Sequence, residues 1–465
     1  MMSLQQAAMF VPSARLVGDG RTDFRRVHTD TRSIEAGDLF VALKGENFDG
    51  HLFLSQARVR GAVAAIAQQG LAEAGLPGLE VADSRLALGQ LAAGWRSRFG
   101  LPLIAVTGSN GKTTVTQMIS SILQAWKARA SFATAGNLNN DIGVPLTLLR
   151  LRDSHQVGVV ELGMNHPGEI AYLSALTRPT VALVNNAQRE HLEFMATVEA
   201  VALENGSVLQ SLDAGGIAVF PGDDDYTALW RGMAGSRRVL TFALFGPADV
   251  TASARWSGKC WQVVAQTPAG QLEFALHVAG LHNVKNALAA TACAIAADVP
   301  PGFIAAGLSE FSPVKGRSRA VQVQLEGKTL TLVDDSYNAN PDSMHAAIEV
   351  LADLPGPRLL VMGDMGEVGQ QGPEFHGEAG THARARGIEK LFTLGDQSRE
   401  AAAAFGQARH FPDMAALITA VRAELPHVSS MLVKGSRFMR MEQLVQAVTE
   451  APARVSQNTE EPHAS

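Results

Sequence analysis

From about residue 84 to residue 451 the chain repeats one pattern. An apolar run of four or five residues ends in a polar or glycine-rich turn, and a stretch with apolar positions every three or four residues follows. The runs at 103–106, 157–160, 181–184 and 217–220 read as buried strands, and those at 329–333, 359–362, 391–394 and 431–433 repeat the pattern further on. Unbroken apolar runs between amphipathic stretches predict parallel strands covered on both faces by helices, an α/β fold with two doubly wound blocks.

The first 83 residues differ. They mix short strands with little helix: 38–43 reads as a strand running into a glycine-rich polar loop, Lys44 to His51, and 57–67 as a helix followed by a strand. A helix over 84–99 then leads through Pro102 to the next strand. Ser312-Pro313-Val314-Lys315-Gly316-Arg317 has the composition of a linker and predicts a hinge. The expected organisation is therefore 1–83, 84–313 and 314–451, with 452–465 a polar, disordered tail.

Bulk composition narrows the class. At 465 residues, three domains of ordinary size are expected. A hydrophobic content of 46% lets each bury a core, and a formal net charge of −6 argues against nonspecific nucleic-acid binding. No apolar run is long enough to span a bilayer, and the first residues lack the basic start and apolar centre of a secretory signal. Only two cysteines occur, Cys260 and Cys293, with no metal-ligand spacing around them, so a reducing cytoplasm is expected and both read as packing residues.

The stretch 104–114, IAVTGSNGKTT, carries the clearest chemistry. A buried strand ends at Thr107-Gly108-Ser109-Asn110-Gly111-Lys112-Thr113-Thr114, and apolar positions at Val115, Met118, Ile119, Ile122 and Leu123 then mark a helix. Glycines let backbone N–H groups turn onto an anion, and the helix adds its positive N-terminal end. Lys112 can reach outer phosphates and the Thr113 hydroxyl can ligate Mg²⁺. Two residues, rather than the usual four, separate Gly108 from Gly111-Lys112, a shortened phosphate loop. The competing reading is a glycine-rich turn with a solvated lysine; the order strand, loop, Lys-Thr-Thr, helix favours the phosphate loop.

Other strand ends are polar, where open α/β sheets collect their ligands. Glu161 directly follows the strand at 157–160 and is placed to complete a Mg²⁺ site near a triphosphate, or to cap a helix. His191, in NNAQREHLEF, is a candidate ligand for a second metal or a structural histidine. Asn137, Asn139 and Asn140, in GNLNNDIGVP, can line a substrate path or simply form a turn. Asn283 and Asn286 share a helical face and can read an adenine edge; an N-cap is the equal reading for Asn283. The run Asp334-Asp335-Ser336-Tyr337-Asn338-Ala339-Asn340 offers acids and amides beyond another strand. Arg317 in the linker is a phosphate partner or a solvated arginine, and Lys434 and Arg437 are carboxylate partners or an exposed basic turn.

Taken together, TDTRSIEAGDLFVALKGENFDGH (29–51), TGSNGKTT (107–114), GNLNNDIGVP (136–145), ELGMNHPGEI (161–170), GLHNVKNALAA (280–290), DDSYNANPDSM (334–344), GDMGEVG (363–369) and VKGSRFMRME (433–442) resemble the Mur ligases, the ATP-dependent amide-forming enzymes of peptidoglycan precursor synthesis. The resemblance runs nearly end to end. GNLNN-IGVP and DDSYNANP-SM point within the family to the branch that adds D-alanyl-D-alanine. It implies a small N-terminal α/β domain for the UDP-sugar, a central ATPase with a mostly parallel sheet, and a C-terminal Rossmann-like domain. The implied substrates are ATP, UDP-MurNAc-tripeptide and D-Ala-D-Ala, with Mg²⁺ as cofactor, in a cytoplasmic monomer without membrane insertion. By motif, the loop and Lys112 would hold the β- and γ-phosphates, Thr113 and Glu161 one Mg²⁺, and His191 a second. Asn283, Asn286, Arg317 and Asp335 would contact the nucleotide. Thr31, Arg32, Ser33, Lys44, Asn47 and His51 would face the UDP-sugar, Asn137, Asn139 and Asn140 the substrate path, and Tyr337, Asn338, Asn340, Lys434 and Arg437 the incoming dipeptide.

Two departures from the family pattern stand out. Where several branches carry a carbamylated lysine, this chain has Asn205, which cannot become an anion; Glu204 is a candidate replacement. Pro221-Gly222-Asp223 stands where Asn-Ala-Asp is usual. The runner-up within the chemistry is a ligase adding a single amino acid, disfavoured because the chain has no DNPR-type motif. Outside it, an ATPase switch would carry a water-orienting Gln or a longer phosphate loop.

Overall fold

A computed structural model describes residues 1–325 and 327–450. The expected disordered tail, 452–465, lies outside the described residues. The chain forms two compact units: Met1–His277 with His282–Ser312, and Val278–Leu281 with the chain from Pro313 onward.

The first unit holds two substantial sheets. The smaller has five strands in the order Arg15–Val17, Gly78–Glu80, Ala62–Ala67, Asp38–Val41, Arg26–His28, parallel except for the antiparallel edge strand Arg15–Val17. The expected helix-then-strand at 57–67 resolves into a helix over Leu54–Val59 and the strand Ala62–Ala67. The larger sheet has nine strands. Its centre is Leu103–Thr107, flanked on one side by Val181–Val184 and on the other by Val157–Glu161, all parallel and fully buried. In register, Glu161 lies opposite Val106 and Val184 opposite Thr107, so three carboxyl ends finish side by side.

The sequence pattern missed both edges of this sheet, the short strand Ser131–Ala133 on one side and a longer stretch on the other. Beyond Ile217–Pro221 come Arg238–Ala243 and then an antiparallel meander, Val250–Trp256, Trp261–Thr267 and Gly270–Leu276. Here buried and exposed positions alternate, as in Leu272, Phe274 and Leu276, because only one face is covered. A mostly parallel sheet is thus right for its centre and incomplete at its edge.

The helix Lys112–Lys127 buries Val115, Met118, Ile119, Ile122 and Leu123, each burial contributing roughly 1.5–3 kcal/mol. The helix Pro301–Glu310 crosses it closely: a Cβ on Gly307 would stand 2.4 Å from the Ile122 Cα, and Ser121 Oγ donates to the Gly307 carbonyl at 2.7 Å. The phosphate-loop helix is therefore clamped from behind, and its N-terminus is a fixed feature of the unit.

The second unit has a six-stranded sheet in the order Arg319–Leu325, Lys328–Asp335, Ser430–Lys434, Arg358–Gly363, Lys390–Leu394, Arg409–Phe411; the first pair is antiparallel and the others are parallel. The four strands expected here are present, and the two edge strands were not foreseen. At its carboxyl edge His376 is fully buried. Its Nε2 accepts from Met365 N–H at 2.9 Å and its Nδ1 donates to the Gly372 carbonyl at 2.6 Å, which pins the GDMGEVG loop. Burial pushes its pKa down, outweighing that carbonyl and Asp364. No helix among the described residues is long and apolar enough to cross a membrane.

Candidate nucleotide-binding site

The loop from Thr107 to Lys112 is built from positive-φ glycines and held by amides from neighbouring strand ends. Gly108 has φ +130° and Gly111 φ +80°, conformations that favour glycine. Asn186 Oδ1 accepts from Asn110 N–H at 2.8 Å, Ser109 Oγ accepts from Gln188 N–H at 2.9 Å, and Asn110 Nδ2 donates to Gln188 Oε1 at 2.7 Å. Asn185 Nδ2 donates both to the Asn110 carbonyl at 2.8 Å and to Asn286 Oδ1 at 3.0 Å. Asn286 in turn donates to Asn283 Oδ1 at 3.0 Å. Both helix amides, expected to read adenine, are buried and belong to the network that supports the loop.

A Cβ on Gly111 would stand 2.5 Å from Asn286 Oδ1 and 2.7 Å from Asn185 Nδ2. Gly111→Ala therefore strains the backbone and pushes this network apart. The expected result is a loss of ADP affinity of at least about tenfold, from 1–3 kcal/mol of strain, measured by calorimetric titration.

Lys112 opens the helix and points back over the loop. Its ammonium donates to the Gly108 carbonyl at 2.6 Å, the Ser109 carbonyl at 3.0 Å and Glu190 Oε1 at 2.7 Å. Thr113 and Thr114 fill the rest of the first helical turn. Thr113 Oγ1 donates to Glu161 Oε1 at 3.2 Å, and Asn139 Nδ2 donates to the same oxygen at 2.7 Å. The Glu161 backbone N–H donates to Thr134 Oγ1 at 3.0 Å. Asn139 thus orients the carboxylate, while Asn140 Oδ1 accepts from Gly143 N–H at 2.8 Å and Asn137 is exposed on the loop.

The donor set fits Mg²⁺. A hydroxyl and a carboxylate oxygen 3.2 Å apart are hard ligands, and Mg²⁺ is commonly held by one or two carboxylates, with water and substrate phosphates completing its shell. No cluster of three or more His, Cys, Asp or Glu placed to hold a metal occurs among the described residues. The protein would supply the smaller share of the ligands. His191 lies beside Glu190, its Nε2 3.4 Å from Glu190 Oε1.

Two supporting residues, Gln188 and Glu190, were not read from the sequence, and Asn185 and Asn205 were noticed without their role as loop supports. Asn205 is buried, and its Oδ1 accepts from Gly108 N–H at 2.9 Å and from the Thr107 hydroxyl. The amide in the lysine's place therefore ties down the phosphate loop. Glu204 is not available as a replacement anion there: its two oxygens accept from Gly168 N–H and Ile170 N–H, each at 2.8 Å, at the start of the helix Glu169–Thr177. Asp223, also at a strand end, pairs with Lys285 at 2.6 Å.

The residues expected to face a UDP-sugar gather around the five-stranded sheet. Thr31, Arg32 and Ser33 form one 3₁₀ turn. Arg32 is exposed and hydrogen-bonds Asp30, which lowers the Asp30 pKa to about 2. Lys44 and Asn47 lie on the exposed loop before Asp49. His51 is committed elsewhere: its Nδ1 donates to Asp49 Oδ1 at 2.6 Å and its Nε2 accepts from Gln68 N–H at 2.9 Å, closing the loop.

In the second unit a separate cluster forms. Lys434 is buried and donates to Asp335 Oδ2 at 2.5 Å and to the Asn338 carbonyl at 2.9 Å; Asp335 Oδ1 accepts from Ser318 N–H at 2.9 Å. The Arg317 guanidinium lies 4.0 Å from the Tyr337 ring centroid, and that of Arg437 lies 5.6 Å from it. Asn340 caps the helix Pro341–Ala352. Lys434, expected to meet a substrate carboxylate, is paired within its own unit.

Three family profiles match the chain: Mur ligase family, catalytic domain, over 23–96; Mur ligase middle domain over 106–294; and Mur ligase, glutamate ligase domain, over 316–437. A UDP-N-acetylmuramoyl-tripeptide–D-alanyl-D-alanine ligase from Escherichia coli strain K12 is 42% identical, covering 91% of this chain and 93% of its own. The crystal structure of MurF from Acinetobacter baumannii superposes with a TM-score of 0.89 at 36% identity, over 96% of this chain and 98% of that one. A MurF ligase from Thermotoga maritima in complex with ADP gives a TM-score of 0.80 at 25% identity, over 91% and 97%.

Proposed function

The chain belongs to the Mur ligase family, and on that premise we infer that it joins D-Ala-D-Ala to the terminal carboxylate of UDP-MurNAc-tripeptide at the expense of ATP. The observation that carries this reading is the meeting of Lys112, Thr113 and Glu161 at adjoining strand ends, in a chain nearly half identical to a D-alanyl-D-alanine-adding relative along most of its length.

The chemistry follows from what a carboxylate lacks. It is a poor electrophile, and phosphorylation gives its carbon a good leaving group. A tripeptide carboxylate oxygen attacks the γ-phosphorus of ATP, and ADP departs with the electron pair of the broken P–O bond. The D-Ala-D-Ala amine then attacks the acyl carbon through a tetrahedral intermediate, loses a proton, and expels phosphate. The protein mainly positions reactants and neutralises charge. The loop N–H groups from Gly108 to Lys112 and the Lys112 ammonium bind phosphate oxygens. Thr113 and Glu161 would hold Mg²⁺, which would supply positive charge to those oxygens.

The remaining assignments extend this reading. Residues 1–83 take the UDP-sugar and 84–313 ATP, while within 314–451 Tyr337, Asn338 and Arg437 meet the dipeptide; Lys434, Asp335 and Asn340 are committed to an ion pair and a helix cap inside that segment. The enzyme acts as a monomer in the cytoplasm; its two cysteines, unpaired and buried, suit a reducing compartment. The test is substrate dependence. Sustained ADP release over many turnovers is expected only when both UDP-MurNAc-tripeptide and D-Ala-D-Ala are present. Equal release without them would mark an ATPase switch.

A further inference from the structure

Beside the phosphate loop lies a carboxylate that the reaction as described does not use. Glu190 follows the strand Val181–Val184 by a few residues and is only 7% exposed. Its two oxygens differ. Oε1 accepts from the Lys112 ammonium at 2.7 Å and lies 3.4 Å from His191 Nε2. Oε2 is buried and has no hydrogen-bond partner. A carboxylate oxygen removed from water without a donor or cation is costly, and such orphans in folded proteins mark a site completed by something else.

The next residue sharpens the point. His191 has φ +51°, a left-handed conformation that a residue with a side chain seldom adopts. Backbone held there clusters at ligand sites. In this conformation the imidazole sits beside the Glu190 carboxylate, at the sheet edge where the loop would present its anion. A carboxylate oxygen, an imidazole nitrogen and incoming phosphate oxygens together make a mixed donor set suited to a divalent cation.

We propose that Glu190, through Oε2, is a divalent-cation ligand together with His191 when nucleotide occupies the loop. The proposal rests on the reading of the loop as a nucleotide site. It gives this chain a local source of the negative charge that Asn205 cannot supply. Glu190 then has two partners, Lys112 on one oxygen and the cation on the other, and it links the lysine and the metal on the same phosphates.

The test uses the full-length protein loaded with ADP and titrated with Mn²⁺, following bound metal by electron paramagnetic resonance. Residues that merely support metal ligands are worth 10–100-fold in affinity, so Glu190→Gln is expected to weaken Mn²⁺ binding by at least about tenfold. Glu190→Asp, which keeps a carboxylate, is expected to recover part of the loss. Because Glu190 also touches Lys112, the same pair is measured in a Lys112→Met background. A direct ligand loses Mn²⁺ affinity in both backgrounds. Unchanged Mn²⁺ affinity in Glu190→Gln, or a loss that vanishes in Lys112→Met, overturns the proposal and assigns Glu190 to the lysine alone. Neither tripeptide nor dipeptide enters this measurement. Failure of the ligase reading would appear separately, as ADP release that ignores D-Ala-D-Ala.

Discussion

Lys112→Ala is expected to lower ligation by at least about 10²–10³-fold, the range for losing one fixed charge-stabilising donor, or about 2.7–4 kcal/mol of transition-state stabilisation. The three contacts of its ammonium explain the size. It lies over the loop that would present the phosphates whose charge shifts during transfer, and two of its partners are loop carbonyls. The third, Glu190, makes the single variant ambiguous, since removing Lys112 leaves a buried carboxylate without its cation. Lys112→Ala combined with Glu190→Gln resolves this. The double variant is expected to regain the melting temperature of the parent and to remain inactive. Steady-state kinetics with a melting curve for each variant separates the two effects, and near-normal turnover in either would remove Lys112 from the phosphate site.

The second large effect is on stability. Lys434 and Asp335 face each other in register on the parallel strands Ser430–Lys434 and Lys328–Asp335, with side chains 4% and 13% exposed. Removing one member of a buried ion pair strands the other, typically at about 3–5 kcal/mol. Lys434→Met is therefore expected to destabilise the second unit by about that amount. Adding Asp335→Asn is expected to recover most of it, because the double replacement leaves no buried charge. A chain of two units need not unfold in one step, so the readout is local: hydrogen exchange of the 430–434 amides, which is expected to accelerate in the single variant and slow again in the double. Parental exchange in Lys434→Met would mean the pair contributes nothing.

These two residues show what a single sequence does and does not reveal. Lys112 was legible because its chemistry is local: strand, glycines, lysine, hydroxyls and helix follow one another within a dozen residues. Glu161 was legible by its position after an apolar run. Glu190 and Gln188 were not, and Asn185 and Asn205 were noticed without their roles, because those roles come from tertiary neighbours. Asn205 sits on the helix Val198–Gln210, nearly a hundred positions from the Gly108 amide it holds. A buried polar residue on a helix carries no mark of its partner in the local pattern.

The same distinction applies to the fold. Fully buried central strands read as apolar runs and were found. The meander at 250–276 has a covered and an uncovered face, so its alternation was hidden among polar residues. The family resemblance implies substrate contacts for His51, Asn140 and Asn340, with a turn as the alternative reading for Asn140. In the structure each makes a local closure: a loop clamp for His51, a bond from Gly143 N–H for Asn140 and a helix cap for Asn340. Turn-forming and ligand-binding asparagines look alike until backbone partners are known.

The central claim is that phosphate passes from ATP to the substrate's own carboxylate before the amide forms. It is tested by running the reaction with the tripeptide's terminal carboxylate labelled with ¹⁸O and analysing the products by mass spectrometry. One ¹⁸O atom is expected in the released inorganic phosphate for each amide bond made. Pentapeptide formation with unlabelled phosphate, or with the label in AMP, would contradict it.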